Sequence, residues 1–357
     1  MKRRVILFGP LPPPNGGVSV FVSNLFAHLR EFDIRLWATF GTATNDVSIT
    51  RFNHRRLGVV GALARQGRNA RIIDFTHFHL EYPHPILLPI WLSAKSLLNF
   101  EWFKYILDGS LPERYPNFTP RQRKLFQQAV NSIDEFIVVS QELHDWFRDA
   151  LKVKNKITVI PCLLNIPNES LTQKLSPETQ TALQSFRKHE QRVCSIGTFI
   201  PSYGFAHVAA AIEKLRDETQ QDIGLVLLEG AFATDEKYRE EVLTGRDWIT
   251  VLTSLPNTEV YQVLRECDVF VRAFGSESYG ISRVEAIWCR VPVIATNVGE
   301  TRGMIRYDFG DVETLKNLLR QSLDNPDTSE LETWANIFHT EADENLKKFI
   351  RTVGLSD

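Results

Sequence analysis

Two glutamates eight residues apart, Glu277 and Glu285, are the side chains whose type and spacing most suggest chemistry. Between them lie Ser278, Tyr279, Gly280 and Arg283, with Arg272 upstream and Arg302 downstream. The pattern predicts a strand ending at Arg272 and a helix over Ser282–Cys289. A small residue at such a turn leaves backbone N–H groups exposed at a helix N-terminus, which is an anion site suited to a diphosphate. The two carboxylates can accept hydrogen bonds from sugar or ribose hydroxyls. A second segment, Gly9–Gly17, is rich in proline and glycine. Gly16 and Gly17 lack Cβ, so backbone there could approach a ligand and adopt positive φ. A third cluster holds His77, His79, Glu81 and His84. On a strand, His77 and His79 would share a face, and His79 or Glu81 at its C-terminal end could touch a substrate. His-x-His is also a metal pair, but no third ligand is set by spacing. Each feature also has an ordinary explanation: capping glutamates, a plain turn, satisfied structural histidines.

These residues need elements to hold them, and the chain alternates strand and helix throughout. Strands are predicted at Val5–Gly9, Ile34–Phe40, Ile72–His79, Leu97–Phe100, Glu135–Ser140 and Ile157–Ile160. Helices are predicted between them, including Val18–Leu29, Leu57–Arg68, Pro85–Ala94 and Pro120–Val130. Asn165–Glu190 is polar and reads as a linker with a lead-in helix. The alternation then restarts with strands at Arg192–Ile196, Ile223–Leu228, Ile249–Leu252, Val269–Arg272 and Val291–Thr296. The expected architecture is α/β, with two Rossmann-like doubly wound domains, 1–164 and 165–334. The C-terminal helix, about 335–357, is expected to pack back on the first domain.

With 357 residues and 43% apolar content, the chain can bury two cores without disulfides or metals. Its four cysteines are far apart, each in or beside an apolar run, and read as buried thiols. The opening apolar run Val5–Phe8 is too short for a signal peptide, and Leu80–Leu98 is too interrupted for a membrane span. A cytoplasmic protein is expected. Residues 1–160 carry 21 Lys and Arg against 13 Asp and Glu, while the rest is net acidic. A basic first half suits an anionic partner. Nucleic acid is disfavoured, because no basic motif is interleaved with aromatics. The five arginines of His54–Arg71, set around Leu57, Val59, Val60 and Leu63, could instead hold the domain against anionic lipid at the inner face of a membrane. No GxGxxG follows the first strand and no GK[ST] occurs, which argues against nicotinamide enzymes and P-loop kinases.

The segment Cys267–Gly303, CDVFVRAFGSESYGISRVEAIWCRVPVIATNVGETRG, resembles the E-x7-E signature of family 4 glycosyltransferases with the GT-B fold. The loop GPLPPPNGGVSVFVSNL resembles that family's first loop, with Gly16 and Gly17 at the paired glycines. The resemblance implies two domains facing a central cleft. It implies retaining sugar transfer from a nucleoside diphosphate-sugar to a glycan or lipid-linked acceptor, with no metal or other cofactor. It places Glu277 near the donor sugar and Glu285 on the ribose. Members usually carry G-R-x-x-x-x-K-G at the start of the second domain; here Thr198 and Tyr203 replace the basic pair. A branch tied to surface-polysaccharide assembly looks similar there. Arg272 first, then Arg283, is expected to supply the missing charge. Where many members have a cleft histidine, Glu101 aligns here, as a catalytic candidate or a solvated strand-end charge. Two other readings stay open: a catalytically weak transferase-like subunit, and a GT-B epimerase or hydrolase.

Overall fold

The computed structural model describes residues 3–41, 46–52, 57–166, 172–230 and 234–355. The chain divides into two compact units, Met1–Leu164 with Ala342–Asp357, and Asn165–Glu341. The first contains β1 (Val5–Gly9), β2 (Ile34–Ala38), β3 (Ile49–Arg51), β4 (Arg71–Asp74), β5 (Glu101–Ile106), β6 (Glu135–Val138) and β7 (Lys156–Val159). They form one sheet in the order β3-β2-β1-β4-β5-β6-β7. The second contains β8 (Gln191–Gly197), β9 (Ile223–Glu229), β10 (Ile249–Thr253), β11 (Val269–Arg272), β12 (Val293–Thr296) and β13 (Ile305–Tyr307), ordered β10-β9-β8-β11-β12-β13. Every neighbouring pair is parallel.

Parallel sheets are covered on both faces, so their strands are apolar runs rather than alternating ones. Val-Ile-Leu-Phe-Gly of β1 and Ile-Gly-Leu-Val-Leu-Leu-Glu of β9 are buried at every position. The core of the second unit joins Val193, Leu225 and Val269 of the sheet to Val208, Ile212 and Leu315 of the helices. The first core is aromatic: Phe8 stacks on Trp91 at 5.6 Å and meets Trp37 edge-on at 6.0 Å. The last segment is tied to the first unit through Arg71, whose Nη1 donates to the Val353 carbonyl at 2.8 Å. Phe349 lies 6.3 Å from Tyr105. All four cysteines are free and buried, as expected. Among the described residues, no helix is long and apolar enough to cross a membrane.

Strand order reverses beside β1 in one sheet and beside β8 in the other. Ligands of open parallel sheets bind outside the C-terminal strand ends at such points. In the first unit those ends are Gly9 and Asp74; in the second, Gly197 and Arg272. The sequence-based elements need two corrections here. Strand β4 stops at Asp74, so His77 and His79 lie in a turn and not on one strand face. The residues read as a strand at Leu97–Phe100 instead end the helix Leu87–Leu98, which closes on a left-handed Asn99.

At the second reversal the chain makes a close approach. Gly204 has φ +65°, and a Cβ there would sit 2.4 Å from the Ala273 carbonyl oxygen. Gly17 has no such constraint: a Cβ would meet nothing within 4 Å. Gly204→Ala is therefore expected to lose about 1–3 kcal/mol in urea unfolding. Gly17→Ala should stay within about 0.5 kcal/mol of wild type.

Candidate active site

In the second unit, β8 delivers Thr198 to the reversal point, and a short turn over Pro201–Tyr203 leads through Gly204 into the helix Phe205–Thr219. Strand β11 delivers Arg272, and the following loop runs to Gly280, which starts the helix Ile281–Trp288 with φ +90°. The two loops are locked together. Gly275 N–H donates to the Ser202 carbonyl at 3.0 Å, and the Tyr203 and Phe274 rings stack at 4.3 Å. The Arg272 guanidinium lies 5.1 Å from each ring centroid. Its Nε donates to Glu277 Oε2 at 2.8 Å and its Nη1 to the Ile196 carbonyl. Tyr203, at the position of an expected lysine, is thus covered by an arginine from the neighbouring strand. Arg272, the first candidate for the missing charge, rests in an ion pair with Glu277, each side chain about 10% exposed. Ser278 is half-buried beside that pair in sequence, and Tyr279 and Thr198 are buried.

Arg283 departs further from expectation. It is fully buried, and it donates to the carbonyls of Val298 and Glu300 and to Thr296 Oγ1 at 3.0 Å. Burial pulls its guanidinium down to about 10, still charged at neutral pH. It is a strut for the 296–300 turn, because a helix residue facing inward meets backbone carbonyls before it meets solvent. Glu285, two residues further along the helix, is also buried and accepts from the Tyr261 hydroxyl at 2.9 Å. Burial pushes its carboxyl up to about 7, against the Tyr261 bond, which favours the ionised form. Tyr261, on the helix Asn257–Leu264, was not singled out in the sequence; an aromatic at helical spacing reads as core.

In the first unit, Gly16 precedes the helix Gly17–His28 with extended φ −158°, and neither glycine has positive φ. Their expected left-handed backbone is therefore not found. The Gly16 N–H donates to Ser19 Oγ at 3.1 Å. Glu101 is the first residue of β5, at the edge opposite the ligand-facing ends. It pairs with Arg71 at 2.5 Å and with Arg3 at 3.3 Å. The reading of Glu101 as a cleft catalyst fails because the strand starts, rather than ends, there. Asp108, after the true end of β5, accepts from Ser110 N and pairs with Arg114 at 2.6 Å.

The histidine cluster separates into different tasks. His79 is buried against Trp91, and its Nδ1 lies 2.9 Å from Asp74 Oδ2. Asp74 also accepts from Thr76 N, Thr76 Oγ1 and Trp102 Nε1. Glu81 is 1% exposed, and Lys104 Nζ sits 3.2 Å from its Oε2, close but without hydrogen-bond alignment. Lys104 donates to the Thr76 carbonyl and is itself fully buried. Both acceptor-side candidates, His79 and Glu81, are thus internal. Half-exposed His77 faces Glu81 Oε1 at 3.7 Å. His84 Nδ1 instead accepts from Ile86 and Leu87 N–H. Asp74 and Lys104 were missed, although a charge inside an apolar strand run is a signal for a buried network. Of the basic segment His54–Arg71, residues 54–56 lie outside the described residues; Arg65 and Arg68 are exposed.

The two parallel α/β units have the GT-B fold found in solved structural neighbours. Residues 178–334, within the second unit, match the profile described as Glycosyl transferases group 1. The chain is 25% identical over 194 residues to TuaC of Bacillus subtilis, a glycosyltransferase named for teichuronic acid biosynthesis. That match covers 54% of this chain and 46% of TuaC. It is 25% identical over 175 residues to alpha-maltose-1-phosphate synthase of Mycolicibacterium smegmatis, covering 44% of this chain and 41% of that protein. The chain therefore spans just under half the length of these two curated relatives. The structure of HepE from Anabaena in complex with UDP-glucose has the same fold, with a TM-score of 0.75 at 16% identity over 99% of this chain and 100% of that one.

Two outcomes test the electrostatics. Lys104→Met leaves Asp74 and Glu81 buried without their cation, and should cost about 3–5 kcal/mol in urea melts at pH 7. Burial alone raises both carboxyls, but Lys104 with the histidine and threonine bonds outweighs it and holds them below the ordinary range. Their contribution is present above the unfolded carboxylate pKa and lost as pH falls through the folded one, so acidification should narrow the gap between variant and wild type. Glu285 has the opposite sign. Its folded carboxyl titrates above the unfolded value of 4.5, so stability falls as pH rises from there to about 7. Glu285→Gln should be more stable than wild type at pH 8, by on the order of 2 kcal/mol, with the difference vanishing near pH 4.5.

Proposed function

We propose that this protein is a retaining, metal-independent glycosyltransferase. It moves a sugar from a nucleoside diphosphate-sugar to a glycan or lipid-linked acceptor in surface-polysaccharide or glycoconjugate synthesis. The observation that carries this reading is the Arg272–Glu277 pair at the strand reversal of the second sheet, seated on the Tyr203 and Phe274 rings. A departing diphosphate needs positive potential, and a sugar needs hydroxyl acceptors. Arg272 supplies the first and Glu277 the second from one loop. The helices beginning at Phe205 and Ile281 add to it. Gly204 and Gly280 bring no side-chain cap, and neither first turn holds an acidic residue. In the resting pair each charge satisfies the other; a donor diphosphate would take the arginine fork and leave the Glu277 carboxylate to the sugar. Glu285, with Tyr261 behind it, suits a ribose hydroxyl.

In the first unit, the backbone at Gly16 and Gly17 borders the other strand reversal, and half-exposed His77 replaces His79 and Glu81 as the group an acceptor hydroxyl can reach. Exposed Arg65 and Arg68 suit anionic lipid. HepE was solved with UDP-glucose, so uridine is the first base to test.

A thermal-shift panel of nucleoside diphosphates and their sugars tests the donor: a ligand at 100 times its Kd adds about 2.7 kcal/mol. No shift with any member would remove the reading. Trapping a glycosylated acceptor, rather than free or isomerised sugar, separates transfer from hydrolysis, epimerisation and a binding-only subunit. Arg272→Ala should weaken UDP binding by about 2 kcal/mol and uridine binding far less, with Arg272→Lys recovering part. Equal loss for both ligands would make Arg272 structural. Glu277→Ala should lower turnover more than donor affinity.

A further inference from the structure

Two cavities adjoin at the C-terminal ends of β2 and β3, and Thr39, Phe40 and Phe52 line both. The first, about 400 Å³, is bounded by Pro13, Pro14, Gly41 and Arg51. Arg51 ends β3; its Nε is buried and has no hydrogen-bond partner among the described residues. No carboxylate pairs with it among the described residues. A buried guanidinium N–H without an acceptor is costly, and its planar fork matches phosphate oxygens. The second cavity, about 220 Å³, is walled by Phe8, Val59, Val60, Leu63, Ile90 and Trp91. Its imidazoles are already engaged: His79 Nδ1 with Asp74, His84 Nδ1 with the Ile86 and Leu87 N–H groups. A space lined this way holds hydrocarbon rather than water; an apolar cavity of about 150 Å³ already takes benzene. Val60, Phe78 and Ile90 remain 36–41% exposed at its walls.

We infer that this strand edge binds one amphiphilic anion, with a phosphate head on Arg51 and a hydrocarbon body in the Phe8–Trp91 cavity. Inorganic phosphate alone would leave the apolar walls open to water, and a neutral hydrocarbon would leave Arg51 unpaired. A nucleotide base fits neither, since the second cavity offers it few polar partners. The role of this ligand as glycosyl acceptor rests on the function proposed above; its binding does not. An acceptor held this way is a lipid phosphate or its glycosyl ester rather than a free sugar.

Calorimetric titration of the whole chain tests the site with octyl phosphate below its micelle threshold, inorganic phosphate and octanol. Octyl phosphate should bind at least about tenfold more tightly than either fragment. Arg51→Gln should bring it to the level of octanol, with Arg51→Lys intermediate. Ile90→Glu, or Ile90→Ser if the charged variant melts without cooperativity, should bring it toward inorganic phosphate. Equal binding of inorganic phosphate and octyl phosphate would overturn the inference in favour of a simple anion site. An unchanged Arg51→Gln would leave only an apolar pocket, and binding to anionic phospholipid vesicles without binding of monomeric octyl phosphate would mean a membrane surface; either overturns it. UDP titrated in parallel keeps the two readings apart: UDP binding without octyl phosphate binding removes this site alone. Octyl phosphate binding without any nucleotide response removes the transferase reading and leaves the site.

Discussion

The Arg272–Glu277 ion pair is the contact on which the second unit's strand-end loops depend. Its arginine lies against two aromatic rings from different loops, and its carboxylate partner sits in the same loop as one of them. A guanidinium on ring faces is attracted to their quadrupoles as well as to its counter-ion. The pair also fixes what can surround it. The chain entering at Gly204 must pass within contact of the Ala273 carbonyl, which excludes a side chain there. Phe274 must stack on Tyr203, and a lysine in place of Tyr203 would put a second cation beside Arg272. The tyrosine and the arginine therefore form one unit: the ring at 203 is a platform for the charge carried by the neighbouring strand.

The first unit handles charge differently at the equivalent reversal. Asp74, Glu81 and Lys104 are all under 2% exposed, so their charges are compensated inside the protein rather than by solvent. Every lone pair of Asp74 that the turn can reach has a donor, from Thr76, His79 and Trp102. Such a network gives little net stability over apolar packing, but breaking one member leaves an uncompensated charge. What it achieves here is orientation. It pins the turn after β4 in place, with His79 inward and His77 outward.

Much of this was readable in the chain. Strand–helix alternation was enough for two parallel α/β units, because strands buried on both faces read as apolar runs, as β1 and β9 do. The motif from Cys267 to Gly303 placed Glu277 and Glu285 on a loop and a helix where they are found. What was not legible depends on contacts between distant segments. The position of Glu101 turned on where a helix ends, and that was decided by a left-handed Asn99 rather than by hydropathy. Arg272 and Arg283 look equivalent in sequence, two arginines near two glutamates. Their elements separate them: Arg272 ends a strand and reaches the Glu277 carboxylate, whereas Arg283 sits on a helix face turned toward the carbonyls of Val298 and Glu300. The pairing of Glu285 with Tyr261 spans 24 residues and has no local signature.

That last pair bears on why the motif glutamates differ in cost. Glu277 keeps an arginine partner, with Arg272 Nε 2.8 Å from its Oε2. Glu285 has only a phenol hydroxyl for company, and burial raises its carboxyl to about 7. A side chain held against its own ionisation is a poor choice for folding, since an uncharged amide would fit the same space more cheaply. A hydroxyl donor entering beside Tyr261 would add the hydrogen bond that the ionised carboxylate lacks and draw its pKa back down. On the function proposed above, ligand and proton would compete for the same oxygens, and a bound hydroxyl would relieve the cost of burying the Glu285 charge.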